Sequence, residues 1–146
     1  MNERRQNKKA NYISDFWRDY LKDDYFDSNG HLRIDYISFA QMSNMAQKMA
    51  EAGLSKSQMR RFFSHCRTLE IQLKGGAEWD SIRPDFLKLR YVAAHASKQV
   101  ASNLPTLFFD FISRNVDKVQ TKESFLKGFM PHFEALVGFA ALYLNR

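Results

Sequence analysis

Residues 54–74 contain neither glycine nor proline, and glycines stand on both sides, at Gly53 and at Gly75-Gly76. Within that stretch Met59, Phe62, Phe63, Cys66, Leu69 and Leu73 recur every three or four residues. At a helical 100° per residue they fall in one arc of about 120°. Ser55 followed three residues later by Gln58 matches the reciprocal cap of a helix start. So long an amphipathic rod must bury one side, and a β architecture offers it no place.

The rest of the chain has the same texture. Only 6 Gly and 3 Pro punctuate the 146 residues, too few for many short strands. A helix is expected from Ser14 through about Phe26, with Phe16, Tyr20, Trp17 and Leu21 on its apolar side, ended by Ser28-Asn29-Gly30. A second is expected from Asp35 or Ser38 to Ala52, with Gly53 as its stop. A fourth should open at Arg83-Pro84 and close near Val100, because proline suits a first turn. A fifth should follow Asn103-Leu104-Pro105 through about Arg114. The last, Lys122 to Leu144, carries Pro131 inside it and should kink or split there. The fold expected is all-α, a compact bundle of five to six helices over residues 12–146, preceded by a flexible basic tail at 1–11.

The net charge is +6, unevenly spread: +3 in residues 1–10, −3 in 11–53, +5 in 54–98 and +1 in 99–146. A localised positive field suits a polyanionic partner. Lys56, Arg60, Arg67 and Lys74 fall in a narrow arc of the third helix, a row about 27 Å long at 1.5 Å per residue with no acid in it. Arg61 adds charge beside it. The fourth helix carries Arg83, Lys88, Arg90, His95 and Lys98 opposite its apolar side. These ten side chains are the candidate contacts to a phosphate backbone. The competing reading is a solvated face that only keeps the protein soluble. Tyr91 reads first as a packed ring with its hydroxyl satisfied, and second as a base-stacking group.

Catalysis finds no seat. His65 and Cys66 are neighbours on a helix and so do not face each other. His31, His65, His95 and His132 lack zinc-site spacing, and Asp23, Asp24 and Asp27 read as a solvated helix end. Asp27-Ser28-Asn29-Gly30 imitates part of a calcium loop, but tyrosines stand at both anchoring positions, Tyr25 and Tyr36. No cofactor and no metal is expected. One cysteine allows no internal disulfide, and neither a signal peptide nor a membrane span is legible, so the cytoplasm is expected.

Three segments carry a resemblance. They are Ser55-Lys56-Ser57-Gln58-Met59-Arg60-Arg61-Phe62-Phe63 with Arg67 following, Pro84-Asp85-Phe86-Leu87-Lys88-Leu89-Arg90-Tyr91-Val92-Ala93, and Phe129-Met130-Pro131-His132-Phe133-Glu134-Ala135-Leu136-Val137. In order and spacing the chain resembles the small subunit of type III-A CRISPR effector complexes, the Csm family, over roughly residues 54–144. It departs from the family pattern in having Ala94-His95 where Gly-Arg is usual and Phe139 where a tyrosine is usual. The resemblance implies a non-catalytic all-α subunit stacked in several copies along the guide RNA–target RNA duplex. Its implied partners are other copies of itself and the backbone, large polymerase-like and end subunits. The alternative is a free-standing helix-turn-helix DNA regulator, in which the Gly53 turn would join the two helices and Lys56 and Arg60 would enter the major groove.

Overall fold

The computed structural model describes residues 9–99 and 103–145. Residues 1–8 of the expected tail lie outside that range, as does Val100.

The expected first helix does not form. Only a single 3₁₀ turn, Ile13–Asp15, appears, and the chain then runs through irregular turns to a second one, Ile34–Tyr36. Two physical reasons stand out. Asp23, Asp24 and Asp27 would crowd the negative end of a helix macrodipole. The buried residues Ile13, Tyr20, Leu21 and Tyr25 also hang from tertiary partners rather than from one helical face. Leu21 takes a left-handed backbone (φ 54°), and its N–H donates to the Tyr36 hydroxyl at 3.1 Å. The Asn29-Gly30 turn forms as expected, with Gly30 at φ 79° and Phe26 bridged antiparallel to Leu32. The Asp27 carboxylate accepts from the N–H groups of His31 and Asn29, which hold it below the usual carboxylate range.

Five helices follow. Helix α1 is Phe39–Glu51, capped by the Ser38 hydroxyl on Gln41 N–H (3.3 Å) and ended by Gly53 at φ 98°. Of the two starts the sequence allowed, Ser38 prevails and Asp35 stays in the preceding 3₁₀ turn. Helix α2 is Lys56–Lys74, and its Ser55–Gln58 capping box is made in both directions. Helix α3 is Trp79–Ala96. It starts a turn before Arg83-Pro84, because Trp79 packs on Phe86 and Phe125 (centroids 5.8 and 5.5 Å apart) and an exposed Pro84 forfeits only one early backbone bond. It stops at Ala96, short of Val100.

Helix α4 is Thr106–Lys118, a turn longer than expected, since Asn115 and Val116 are buried. The last helical run covers residues 122–140 and contains a π-helical stretch, Ser124–Phe129, directly before α5, Met130–Ala140. Pro131 has no N–H to donate and would press on a carbonyl one turn back; the wider π turn upstream accommodates it. The proline therefore reshapes the run without splitting it.

Helix α5 packs against both α1 and α2, while α3 packs against α4 and α2. Phe125, Phe129 and Phe133 stack along one face, and Phe86, Phe108 and Phe111 close on them at centroid distances of 5.2–6.3 Å. Beside this aromatic spine lies a closed polar cluster. The Asn115 amide donates to the Tyr20 hydroxyl (2.9 Å) and to Phe111 carbonyl (2.8 Å), and accepts from the Tyr25 hydroxyl (2.7 Å). His132 Nε2 meets the Tyr20 hydroxyl at 2.6 Å and Nδ1 meets the Tyr36 carbonyl at 2.7 Å. Since the carbonyl can only accept, Nδ1 carries the proton and Nε2 accepts from Tyr20. This cluster fastens the irregular N-terminal segment to α4 and α5.

Candidate nucleic-acid interface

Helix α2 buries Met59, Phe62, Cys66, Leu69 and Leu73, the apolar arc read from its spacing, with Phe63 half-buried. Burial, and secondarily the charge of Glu70, pushes the Cys66 thiol well up, so it supplies no thiolate. A neighbouring arc, next to Phe63, carries Lys56, Arg60, Arg67 and Lys74, but the expected acid-free row is broken. Glu70, only 7% exposed, receives Arg67 at 2.6 Å and Lys74 at 3.6 Å. Long side chains reach three and four residues along a helix, so an acid beside the row neutralises members of it. Arg67 also reaches Glu134 on α5 at 2.8 Å and lies 5.0 Å from the centre of the Phe63 ring. The hydrogen bonds it donates to the two carboxylates hold its guanidinium charged.

Arg67 is thereby an α2–α5 clamp. Its side chain is 41% exposed, so solvent screens the pairs and the clamp contributes about 1 kcal/mol. Arg67→Ala should lower the unfolding free energy by that much, read as a lower urea midpoint at unchanged m. An unchanged midpoint would show that the pairs are idle.

On α3 the basic residues divide. Arg90 bonds to Asp117 and to the Ser113 carbonyl (2.9 Å) on α4, and Arg83 reaches Gln120 at 3.4 Å, so both sit on the α3–α4 seam. The Nε atoms of both arginines, and Trp79 Nε1 beside Phe86 and Phe125, are buried without a hydrogen-bond partner among the described residues. Lys88, His95 and Lys98 lie on the other side, with Tyr91 between them in sequence. Tyr91 is 61% exposed, so it is not the packed ring expected first. Lys88 pairs with Asp85 at 3.2 Å, which holds its ammonium charged, and both groups are half exposed.

Arg60, Arg61, His95 and Lys98 are exposed and Lys56 is half-buried, and none has a carboxylate partner among the described residues. Arg61 points about 100° away from Arg60 around α2, toward α3, as adjacent helical residues must. Two positive surfaces result. One holds Lys56 and Arg60 beside Val137 and Ala141 of the C-terminal run; the other is a groove between α2 and α3 lined by Arg61, His65 and Lys88. His65, which sequence reasoning had set aside with catalysis, joins the groove through a 2.9 Å bond from Nε2 to the Asp85 carbonyl.

Helices α1 and α2, the pair a helix-turn-helix would use, pack principally on α5 rather than on each other. Among the described residues no group of three or more His, Cys, Asp or Glu is placed to hold a metal ion, and no helix is long and apolar enough to cross a membrane. No curated protein and no solved structure matches the chain. A family model described as Csm2 Type III-A matches residues 37–146, all five helices included. The chain belongs to that family and is a small subunit of the type III-A CRISPR Csm complex.

Proposed function

We propose that this subunit catalyses no reaction, acts in the cytoplasm, and stacks in several copies along the guide RNA–target RNA duplex, holding the ribose–phosphate backbone without regard to sequence. The supporting observation is the set of basic side chains with no carboxylate partner among the described residues, Lys56, Arg60 and Arg61 on α2, His95 on α3 and Lys98 just past its end. Base pairing then carries the sequence information, and the protein contributes charge and shape. Lys88 joins this surface when phosphate displaces its half-exposed Asp85 partner, since such surface pairs are weak, while the exposed ammonium of Lys74 reaches phosphate from beside the buried Glu70. Arg67, Arg83 and Arg90 chiefly tie helices together. Neighbouring copies and the backbone, large polymerase-like and end subunits of the complex are its protein partners. Exposed apolar side chains such as Ile34, Phe39 and Leu142 are available for those contacts.

The test is Arg60→Glu combined with Arg61→Glu, in the complex assembled on its guide. Target-RNA affinity should fall about tenfold or more, to a similar extent for two unrelated guide–target pairs, and the salt slope should drop by about 1 to 2 for two lost phosphate contacts. Unchanged affinity and slope for both pairs would defeat the reading. A footprint of the isolated protein on one DNA sequence would replace it with a DNA regulator.

A further inference from the structure

The groove between α2 and α3 differs from the rest of the positive surface in having an apolar floor. Its volume is about 250 Å³, and it is lined by Arg61, Phe62 and His65 from α2 and by Lys88, Leu89 and Val92 from α3. Phe62 and Leu89 are buried and Val92 half-buried, so they form the bottom, while the cations stand at the rim. The Arg61 guanidinium leans over the Phe62 ring, 5.9 Å from its centre. The His65 ring is fixed across the groove by its bond to the Asp85 carbonyl.

An intact duplex makes poor use of such a floor. Its bases face inward, and only phosphates and sugars reach the protein. An unpaired nucleotide brings a π-face and a phosphate together, and both have a place here. The apolar floor offers the base a stacking surface beside the planar Arg61 guanidinium, and Lys88 and Arg61 offer the phosphate their N–H groups. The volume is small against ordinary ligand pockets of roughly 300–1,000 Å³, which suits one nucleotide rather than a large cofactor. The Asp85 carboxylate, 3.2 Å from Lys88, sets a limit on this affinity, because an incoming phosphate must displace it.

We propose that this groove is a subsite for one unpaired ribonucleotide, which receives the base between α2 and α3 and its phosphate on Arg61 and Lys88. The proposal rests on the RNA-binding reading above and deepens it. Stacking on an apolar floor accepts any base, so the subsite adds a preference for unpaired over paired positions and none for sequence.

The experiment measures binding of the full chain, by fluorescence anisotropy, to a short RNA duplex and to the same duplex with a single-nucleotide bulge. The bulged RNA should bind several-fold tighter. Val92→Phe, which fills the groove and leaves every cation in place, should erase that preference and leave duplex affinity unchanged. Asp85→Asn, which frees Lys88, should widen the preference. 4-Thiouridine placed in the bulge should crosslink within residues 61–65 or 88–92 of the unaltered chain, a readout independent of whether Val92→Phe folds. Equal affinity for the two RNAs, or crosslinks confined to other segments, overturns the subsite while the duplex reading stands. Binding to neither RNA, together with an unaffected Arg60→Glu/Arg61→Glu complex, overturns both.

Discussion

Acidification from pH 7 to pH 4 should remove about 3 kcal/mol of folding stability through one side chain, His132. Its ring is fully buried, and burial brings its pKa down from 6.5 to about 4, opposed only by the hydrogen bond to the Tyr36 carbonyl. The groups around it are the Tyr20, Tyr36 and Phe111 rings and the Asn115 amide behind Tyr20, none of them a charge that could stabilise an imidazolium. The folded state therefore keeps His132 neutral over a range in which the unfolded chain is protonated. Stability from a lowered histidine pKa is complete above the unfolded value and declines as pH falls from 6.5 toward 4. At 1.36 kcal/mol per pH unit, the 2.5-unit window amounts to roughly 3 kcal/mol. Protonation also costs the cluster an acceptor, because Nε2 can then no longer receive the Tyr20 proton. Urea unfolding at pH 7, 6, 5 and 4 should show this slope. His132→Gln should be less stable at pH 7 but flatter across the window, the difference between the two curves isolating His132 from the carboxylates. Parallel curves would mean that the histidine is protonated in the fold after all.

What the sequence made legible was local. Ser38, Gly53, Ser55 and Gly75 mark helix ends through bonds made within a few residues, and the structure has helix ends at all four. The apolar arc of α2 is equally local, and five of its six members are buried. Errors appear where a distant partner decides. Residues 14–26 have apolar residues compatible with a helix, yet their tyrosines are held by Asn115 and His132, about a hundred positions away. Trp79 starts α3 early because it packs on Phe125, so the proline rule was correct chemistry applied to the wrong residue.

The candidate interface divides the same way. Arg67–Glu134 and Arg90–Asp117 are tertiary pairs that no spacing predicts. Glu70, by contrast, stands three residues after Arg67 and four before Lys74, and that signal was available in the sequence. The charge total of the middle third follows from composition alone. Assigning each cation required knowing which helix lies beside it.

Gly128→Ala should cost about 3 kcal/mol, although it places a better helix former inside a helical run. The position lies in the π stretch, where a Cβ would come within 2.7 Å of the Tyr25 ring carbon Cγ, 2.8 Å of Cδ2 and 2.9 Å of Cβ. Those atoms are the root of the side chain, not a tip that could swing aside. Tyr25 is fully buried, and its hydroxyl is fixed on Asn115 at 2.7 Å. Forcing a methyl into a packed core costs about 1–3 kcal/mol, and a displaced Tyr25 would add the loss of a buried hydrogen bond worth about 1 kcal/mol. The ordinary advantage of alanine over glycine in a helix, about 1 kcal/mol, offsets only part of this. Gly138→Ala provides the contrast: nothing lies within 4 Å of the place its methyl would take, so it should be neutral or slightly stabilising. Tyr25→Ala will itself be destabilising, but with that ring gone Gly128→Ala should lose nearly all of its cost, a coupling of about 2 kcal/mol or more in a double-mutant cycle. Additive effects in the cycle would mean that the glycine is needed for its backbone and not for the ring that lies on it.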